Sequence, residues 1–190
     1  VTNNPNFKAP KGGADAFLLK LDKSGSKLLF SNLIGGNGED ILQSVCLNAT
    51  EDIFVSGYTN STNYPLSIYP KPYQTANAGK RDLVVMKFFP NGGNYRYSTY
   101  LGGSNEDYAD NWINNIITQI AVNIKDEAII MGVSQSKDFP ITNDAIQKDN
   151  KAMAKKDDPV NLTLSKLSIT GDKLLYSTFF GGGYADFLLA

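Results

Sequence analysis

A six-residue phrase ending in two glycines occurs three times in this chain of 190 residues, at 31–36, 98–103 and 177–182. An aspartate follows each copy, four residues after its second glycine. The flanking residues match as well, since the pattern that starts at Asp15 starts again at Asp82 with a constant offset (82 − 15 = 67). Recurrence at such a spacing is the signature of a repeat protein, in which each unit stacks on its neighbours. The chain is therefore predicted to contain several copies of one small unit.

Each complete repeat is predicted to hold four short strands. Segments rich in β-branched and aromatic residues alternate with turn residues, as strands and hairpins require. In the second repeat these segments are 41–48, 53–59, 82–88 and 95–101, and the first repeat shows only the last two, at 15–21 and 27–34. The short connections favour antiparallel pairing, which predicts an all-β fold. Four antiparallel strands per repeat are the blade of a β-propeller. Only residues 143–156 could form a short helix.

The repeat boundaries predict two and a half blades. The predicted units are a loop or linker at 1–13, the outer half of a blade at 14–36, full blades at 37–103 and 104–182, and the start of another blade at 183–190. The second full blade is longer because it carries insertions at 108–115 and 141–160. Closed propellers have roughly four to eight blades, so we expect the chain to belong to a longer protein or to be completed by another chain.

Several motifs in combination resemble the bacterial SBBP repeat, a family named for a seven-bladed β-propeller. The motifs are Gly102-Gly103 with Asp107, strands that end in Asn48 or Asn123, the segment 55–59 with Tyr64-Pro65, Asp82 with Lys87, and the segment 97–103. The resemblance covers nearly the whole chain after residue 12, although Asn161 replaces the strand-starting aspartate in the last repeat. It implies a β-propeller in a large secreted or cell-surface bacterial protein, in some members exported by the type IX route. It implies no particular enzyme activity or ligand.

Composition narrows the functional classes. The chain has 18 basic and 19 acidic residues and no basic cluster, so it lacks the electrostatic footprint of a nucleic-acid-binding protein. It has no histidine, the commonest general base and metal ligand. The single cysteine, Cys46, lies in an apolar run and is predicted to be a core residue. No apolar run approaches 18 residues, so no membrane span is predicted.

The long connections are predicted to gather on one face of the blades, where a rigid scaffold normally carries its binding loops. They contain aromatic residues that could form a platform for a protein or glycan partner: Trp112, Tyr108, Tyr64, Tyr69 and Tyr73. For Trp112 the alternative is that the ring packs over its own blade.

Recurring aspartates stand beside the glycine-rich turns and at the starts of strands, namely Asp40, Asp107, Asp186, Asp15 and Asp82. One interpretation is that the carboxylates accept backbone N–H bonds and hold the turns. The alternative is calcium binding through oxygen ligands, although the spacing of a calcium loop is missing. Asn161 at one such position favours the hydrogen-bonding role. The recurring lysines Lys20, Lys87 and Lys166 are expected either to extend their ammonium groups to solvent or to pair with neighbouring acids.

These observations lead to one main functional hypothesis. The chain is predicted to be a non-catalytic propeller module of a larger secreted bacterial surface protein. It would act as a rigid scaffold or adhesion surface, with no catalytic residue and no cofactor except possible calcium. Its partners would be a protein or glycan at the loop face and the remaining blades. The alternatives are a fragment of a carbohydrate-active propeller enzyme that uses two carboxylates, and a calcium-stabilised structural repeat.

Overall fold

A computed structural model describes residues 10–108, 118–154 and 160–183. Its strands are β1 (Ala16–Leu21), β2 (Leu28–Ile34), β3 (Asp40–Leu47), β4 (Ile53–Thr59), β5 (Asp82–Phe88), β6 (Tyr95–Leu101), β7 (Gln119–Val122), β8 (Ala128–Ser134), β9 (Asn161–Leu167) and β10 (Leu174–Phe180). The prediction of an all-β fold is confirmed. In the described part of the segment that could be helical, residues 143–154, the structure has a 3-10 turn at Lys151–Ala154. Within the described residues, no helix has the length and apolar character needed to cross a membrane.

The strands form three antiparallel sheets in which neighbours along the chain are neighbours in space. The first sheet contains β1 and β2, the central sheet has the order β3-β4-β5-β6, and the last sheet contains β7 to β10 in the same consecutive order. No barrel closes among the described strands. Short hairpin turns connect β3 to β4 and β5 to β6, because Asn, Asp and Gly residues at 48–52 and 89–94 suit tight turns.

The sheets stack face to face, and the central sheet is buried on both sides. Strands β4 and β5 are buried at every residue. Alternate residues of a strand point to opposite faces, so strands that are apolar at both parities make two interfaces. One apolar cluster joins the central sheet to the first sheet through Phe30, Ile34, Ile53, Val55, Val84, Met86, Phe88 and Tyr100. Another joins it to the last sheet through Phe54, Leu83, Val85, Tyr97, Leu101, Ala128, Ile130, Leu167 and Phe179.

Equivalent repeat positions build both interfaces. Phe30 in the first sheet corresponds to Tyr97 in the central sheet (97 − 30 = 67), and Ile34 corresponds to Leu101 (101 − 34 = 67). Each of these residues belongs to the cluster shared with the next sheet along the chain. One packing solution is thus used twice, as in proteins built from stacked repeats.

The long connection at 60–81 covers the outer edge of the central sheet. The Ser67 N–H donates to the Ser98 carbonyl at 3.3 Å, and the Tyr100 N–H donates to the Gln74 carbonyl at 3.4 Å. An uncovered edge strand leaves a row of unpaired backbone groups and invites pairing with other chains. This connection therefore serves β6 as a partial fifth strand.

The connection at 135–160 covers the edge of β10 with backbone hydrogen bonds in the same way. The Thr142 N–H donates to the Ser177 carbonyl at 3.0 Å, and the Phe179 N–H donates to the Gln147 carbonyl at 3.1 Å. The prediction that the long connections gather on one face is therefore wrong for these two connections. Each begins and ends at that face but runs along an edge strand, β6 or β10. The backbone N–H and C=O groups of that edge strand need hydrogen-bond partners, and the connection supplies them.

Candidate functional site

The predicted aromatic platform does not exist as one surface. Tyr64 is only 4 % exposed and belongs to the cluster between the first and central sheets. Its backbone N–H donates to the Tyr100 hydroxyl at 3.1 Å, and its own hydroxyl donates to Met86 Sδ at 3.2 Å. Tyr64 is a core residue, and its prediction as a binding residue is wrong. Tyr73 is half-buried against the other cluster, and its N–H donates to the Gly171 carbonyl at 3.1 Å.

Tyr108 and Tyr69 lie at opposite ends of the central sheet. Tyr108 stacks on Tyr58, with ring centroids 3.7 Å apart, near the end of β4. The Arg81 guanidinium lies 5.1 Å from the centre of the Tyr108 ring. Tyr69 is 93 % exposed and lies beside the hairpin turns at the other end, since the connection at 60–81 carries it there. Trp112 and Asp186 lie outside the described residues, as do most of the insertion at 108–115 and the predicted blade start after residue 183.

A cleft of about 690 Å³ separates the hairpin turns of the central and last sheets, and Tyr69 stands at its rim. The Arg96 guanidinium lies 4.1 Å from the centre of the Phe89 ring, and its Nε lies 2.9 Å from Asp52 Oδ2. Ile169 of the last sheet is the exposed apolar residue on the opposite wall. Sequence reasoning missed this cleft because its walls come from turns of two different repeats.

A buried ion pair lies at the base of the cleft. Lys87 Nζ lies 3.3 Å from Asp52 Oδ2 and also contacts Asp126 Oδ2, and the lysine side chain is 3 % exposed. Asp52 belongs to the same sheet as Lys87, whereas Asp126 belongs to the last sheet. The Phe54 ring packs against the ammonium group at 4.9 Å from its centre. The lysine thus joins two consecutive sheets at a desolvated position, where losing one partner is costly.

The other recurring lysines also contact acids, so ion pairing is the arrangement found, of the two expected for these lysines. Lys20 Nζ of the first sheet lies 3.4 Å from Glu51 Oε2, in the hairpin turn of the central sheet. Lys166 Nζ of the last sheet lies 3.6 Å from Glu127 Oε2, in its own sheet.

The two acids that contact a lysine of the preceding sheet have positive φ angles. Glu51 and Asp126 are equivalent in the repeat, and their φ angles are +62° and +66°. Glycine favours this left-handed region, and side chains other than Asn and Asp are uncommon there. Partial burial raises the pKa of Asp126, but hydrogen bonds from Lys87 and Asn48 outweigh burial and leave the pKa lowered.

Asp40 and Asp107 close two equivalent turns by the same set of hydrogen bonds. The Gly36 N–H donates to Asp40 Oδ2 at 2.7 Å, and the Gly103 N–H donates to Asp107 Oδ2 at 2.5 Å. Hydroxyl groups donate the remaining bonds to the two carboxylates: Thr59 and Ser61 for Asp40, Ser134 and Ser136 for Asp107. These contacts are the ones that the turn-holding interpretation requires.

Asp82 holds the start of β5 in a similar way. Gln74 Nε2 and the Ala78 N–H donate to Asp82 Oδ2 at 2.7 and 2.9 Å. In the last sheet, Gln147 Nε2 and the Lys151 N–H donate to Asn161 Oδ1 at 3.1 and 2.8 Å. The first sheet preserves one of these bonds, from the Lys11 N–H to Asp15 Oδ2 at 2.8 Å. A neutral amide accepts the same bonds as the carboxylate, so this position does not depend on charge.

Burial shifts the acidity of two of these acids. It raises the pKa of Asp82 to about 6 and the pKa of Asp107 to about 7, despite hydrogen bonds that lower both values. Gly102 lies between them, and a Cβ atom there would lie 2.6 Å from Asp82 Oδ1 and 2.8 Å from Asp107 Oδ2. Both side chains are fully buried, so neither carboxyl group can reach a substrate.

Among residues 10–108, 118–154 and 160–183, no three Cys, Asp or Glu side chains are arranged to hold a metal ion. Cys46 is only partly buried on the edge strand β3, rather than fully enclosed as predicted, and burial raises the pKa of its thiol. Neither a protein-family model nor a curated protein sequence matches the chain. The SBBP assignment therefore stays a prediction.

Proposed function

We propose that the chain is a run of β-propeller blades and serves as a non-catalytic scaffold. The observation that carries this proposal is the repeated interface between consecutive sheets. The first sheet packs on the central sheet through the same repeat positions that the central sheet uses toward the last sheet. Four-stranded antiparallel sheets stacked in this manner are the building principle of a propeller.

The outer face of the first sheet supports the proposal. Phe17, Leu19 and Leu21 lie on that face, and Phe17 is 65 % exposed. The equivalent positions of the central sheet are Val84, Met86 and Phe88 (84 − 17 = 67), which are buried against the first sheet. Apolar side chains at these positions can therefore pack against a preceding sheet, as Val84, Met86 and Phe88 do. Large contiguous apolar patches are rare on the free surface of soluble proteins.

The proposal of a non-catalytic scaffold is supported by the two acids with raised pKa values, because both have a structural role. From fully buried positions, Asp82 accepts the Ala78 N–H and Asp107 accepts the Gly103 N–H. Secretion, a cell-surface location and adhesion extend this proposal and come from the SBBP resemblance alone. The remaining partner would be a protein or glycan that binds at the cleft beside Tyr69.

Cryo-electron microscopy of the natural protein, expressed from its full reading frame, tests the scaffold proposal. We expect a ring in which each sheet contacts the next through the positions of Phe30 and Tyr97. Apolar faces covered by helices or by a domain of another fold would overturn the proposal. Glycoside hydrolysis that Asp82→Asn and Asp107→Asn each abolish would replace it with the enzymatic alternative.

A glycan array and a pull-down from host or biofilm extracts test the cleft as a partner-binding surface. Tyr69→Ala is expected to lose at least about tenfold in affinity if its ring stacks on a sugar or anchors a protein. Ile68→Ala is the matched control, since Ile68 is adjacent and fully exposed but does not line the cleft. Equal binding by both variants would show that Tyr69 is not part of the partner-binding surface.

A further inference from the structure

We propose that the outer face of the last sheet binds a further four-stranded sheet of the same repeat, whose first hairpin turn presents a left-handed acidic residue to Lys166 and Asn123. This inference rests on the proposed function and specifies the chemistry of the partner sheet. It arises from a set of contacts between consecutive sheets, which we call the clamp: a lysine and an asparagine of one sheet bind an acid in the first hairpin turn of the next. Among the described residues, the clamp is complete at one junction and partial at another.

The complete clamp joins the central and last sheets. The Asp126 carboxylate is held from the central sheet at both oxygens, with Lys87 Nζ on Oδ2 and Asn48 Nδ2 on Oδ1 at 2.6 Å. Asn48 also shapes the hairpin turn of its own sheet, because its Oδ1 accepts the Asp52 N–H at 2.8 Å. A lysine on the third strand and an asparagine at the end of the first strand thus grip one acid of the following sheet.

The junction between the first and central sheets repeats the ionic half of the clamp. Lys20 contacts Glu51, and Glu51 is equivalent to Asp126 (126 − 51 = 75, as 128 − 53 = 75 for the strands that follow). Both acids have a positive φ, where glycine would be unstrained. An acid retained twice at a position that favours glycine indicates that its side chain is needed for the contact with the preceding sheet.

The last sheet contains the lysine and the asparagine of the clamp. Lys166 is equivalent to Lys87 (166 − 87 = 79), and Asn123 is equivalent to Asn48 (123 − 48 = 75). Within the described part of the chain, Lys166 contacts a single acid, Glu127 of its own sheet, and its side chain is 36 % exposed compared with 3 % for Lys87. Asn123 shapes its turn as Asn48 does, with its Oδ1 accepting the Glu127 N–H at 3.1 Å.

The apolar part of the same face fits the same partner. Ile129 and Leu164 occupy the positions of Phe54 and Val85, which hold the last sheet (129 − 54 = 75; 164 − 85 = 79). Phe180 occupies the position of Leu101 and is 65 % exposed. The partner that matches both this apolar row and a basic group above it is a sheet with an apolar face and an acidic hairpin turn. A helix could cover the row but would not supply an acid in this turn geometry.

The experiment extends the chain with a probe repeat of known sequence. A second copy of residues 37–103 is joined after Gly182, which is equivalent to Gly36, so that the added Glu51 can reach Lys166. Lys166→Met is then compared in the original and the extended chain by thermal unfolding. We expect the melting temperature to fall by about 3–6 °C in the extended chain and to change little in the original. Changing the added Glu51 to Gln should cause the same loss, and the double variant should lose no more than either single variant. Lys148→Met, at an exposed loop position, is the matched control.

The outcomes separate the clamp from the scaffold. If the added repeat folds cooperatively with the chain but Lys166→Met has the same effect in both chains, the clamp proposal is wrong while the stacking of sheets stands. If the added repeat melts separately and leaves a fluorescent apolar probe bound to the outer face, the stacking itself fails and the proposed function fails with it. A loss confined to the extended chain supports both.

Discussion

Asp82 and Asn161 occupy the same position in consecutive repeats and accept the same pair of hydrogen bonds. Asn161 adds a bond that an ionised carboxylate cannot make, since its Nδ2 donates to the Gly182 carbonyl at 3.1 Å. The equivalent carbonyl for position 82 is that of Gly103 (182 − 79 = 103). Burial in this environment disfavours the ionised carboxylate, in agreement with the raised pKa of Asp82.

The substitution Asp82→Asn is therefore expected to stabilise the protein at high pH. The folded-state pKa values, about 6 for Asp82 and about 7 for Asp107, exceed the ordinary value near 4. Their contribution to stability is thus complete below about pH 4 and is lost as the pH rises to about 7. Asp82→Asn should gain roughly 1–3 kcal/mol at pH 8 and little at pH 4, as measured by urea unfolding at both pH values. Exposed Asp149→Asn is the control, and a variant less stable than wild type at pH 8 would contradict this account.

Gly102 supports a second expectation at the residue scale. A methyl group there would press on the carboxyl groups of Asp82 and Asp107, which are held by their own hydrogen bonds. Gly102→Ala should cost about 2–4 kcal/mol in the free energy of unfolding, as overpacking and broken networks do. Gly93→Ala is the control because its Cβ would meet only the Asn91 side chain, at 3.3 Å. Similar losses in both variants would show that the effect is generic.

At the scale of elements, the long connections protect sheet edges. Gln74 links three parts of this arrangement, because its carbonyl pairs with the Tyr100 N–H, its Nε2 donates to Asp82, and its Oε1 accepts the Gly102 N–H at 3.0 Å. Gln147 makes the corresponding side-chain contacts in the last sheet. Each connection is thus fastened to the outer strand and to the following glycine turn by one glutamine.

Gln74→Ala is expected to loosen the connection at 60–81 from β6. The loss of three side-chain hydrogen bonds at a partly buried site, to the Ala76 carbonyl, Asp82 and the Gly102 N–H, should cost about 1–3 kcal/mol. Hydrogen exchange should show faster exchange of the Tyr100 N–H, while the backbone of β4 keeps its protection. Thr75→Ala, next to it and exposed, should change neither quantity. Uniformly faster exchange across the sheet would indicate global destabilisation instead of release of this edge.

At the scale of the whole molecule, stacked sheets leave an apolar face at each end of the described stack. The chain by itself is expected to associate at high concentration, because these faces are suited to other sheets. Phe17→Asp should reduce the association measured by light scattering after size-exclusion chromatography. Ile68→Asp, on the exposed loop, should leave it unchanged. Equal behaviour of both variants would show that the face of the first sheet does not drive association.

Calcium removal gives a further expectation at this scale. Backbone N–H groups and hydroxyl groups already donate to the turn acids Asp40 and Asp107. A chelator should therefore leave the melting temperature unchanged within about 1 °C, with a calcium-binding protein measured in parallel as a positive control. A decrease of several degrees that added calcium reverses would support the calcium-stabilised alternative.

Local pattern was enough to place the strands of this protein. The sequence predicts strands at 53–59, 82–88 and 95–101, which are the bounds of β4, β5 and β6, because β-branched and aromatic enrichment and turn residues are properties of adjacent residues. The presence of Asn161 at an aspartate position of the repeat also predicts a hydrogen-bonding role from the sequence alone. Tertiary structure decided the burial of Tyr64, the path of the connections along β6 and β10, and the pairing of Lys87 with Asp126 in another sheet. These features depend on which surfaces meet once the sheets stack, and residues far apart in sequence carry no local signal of that contact.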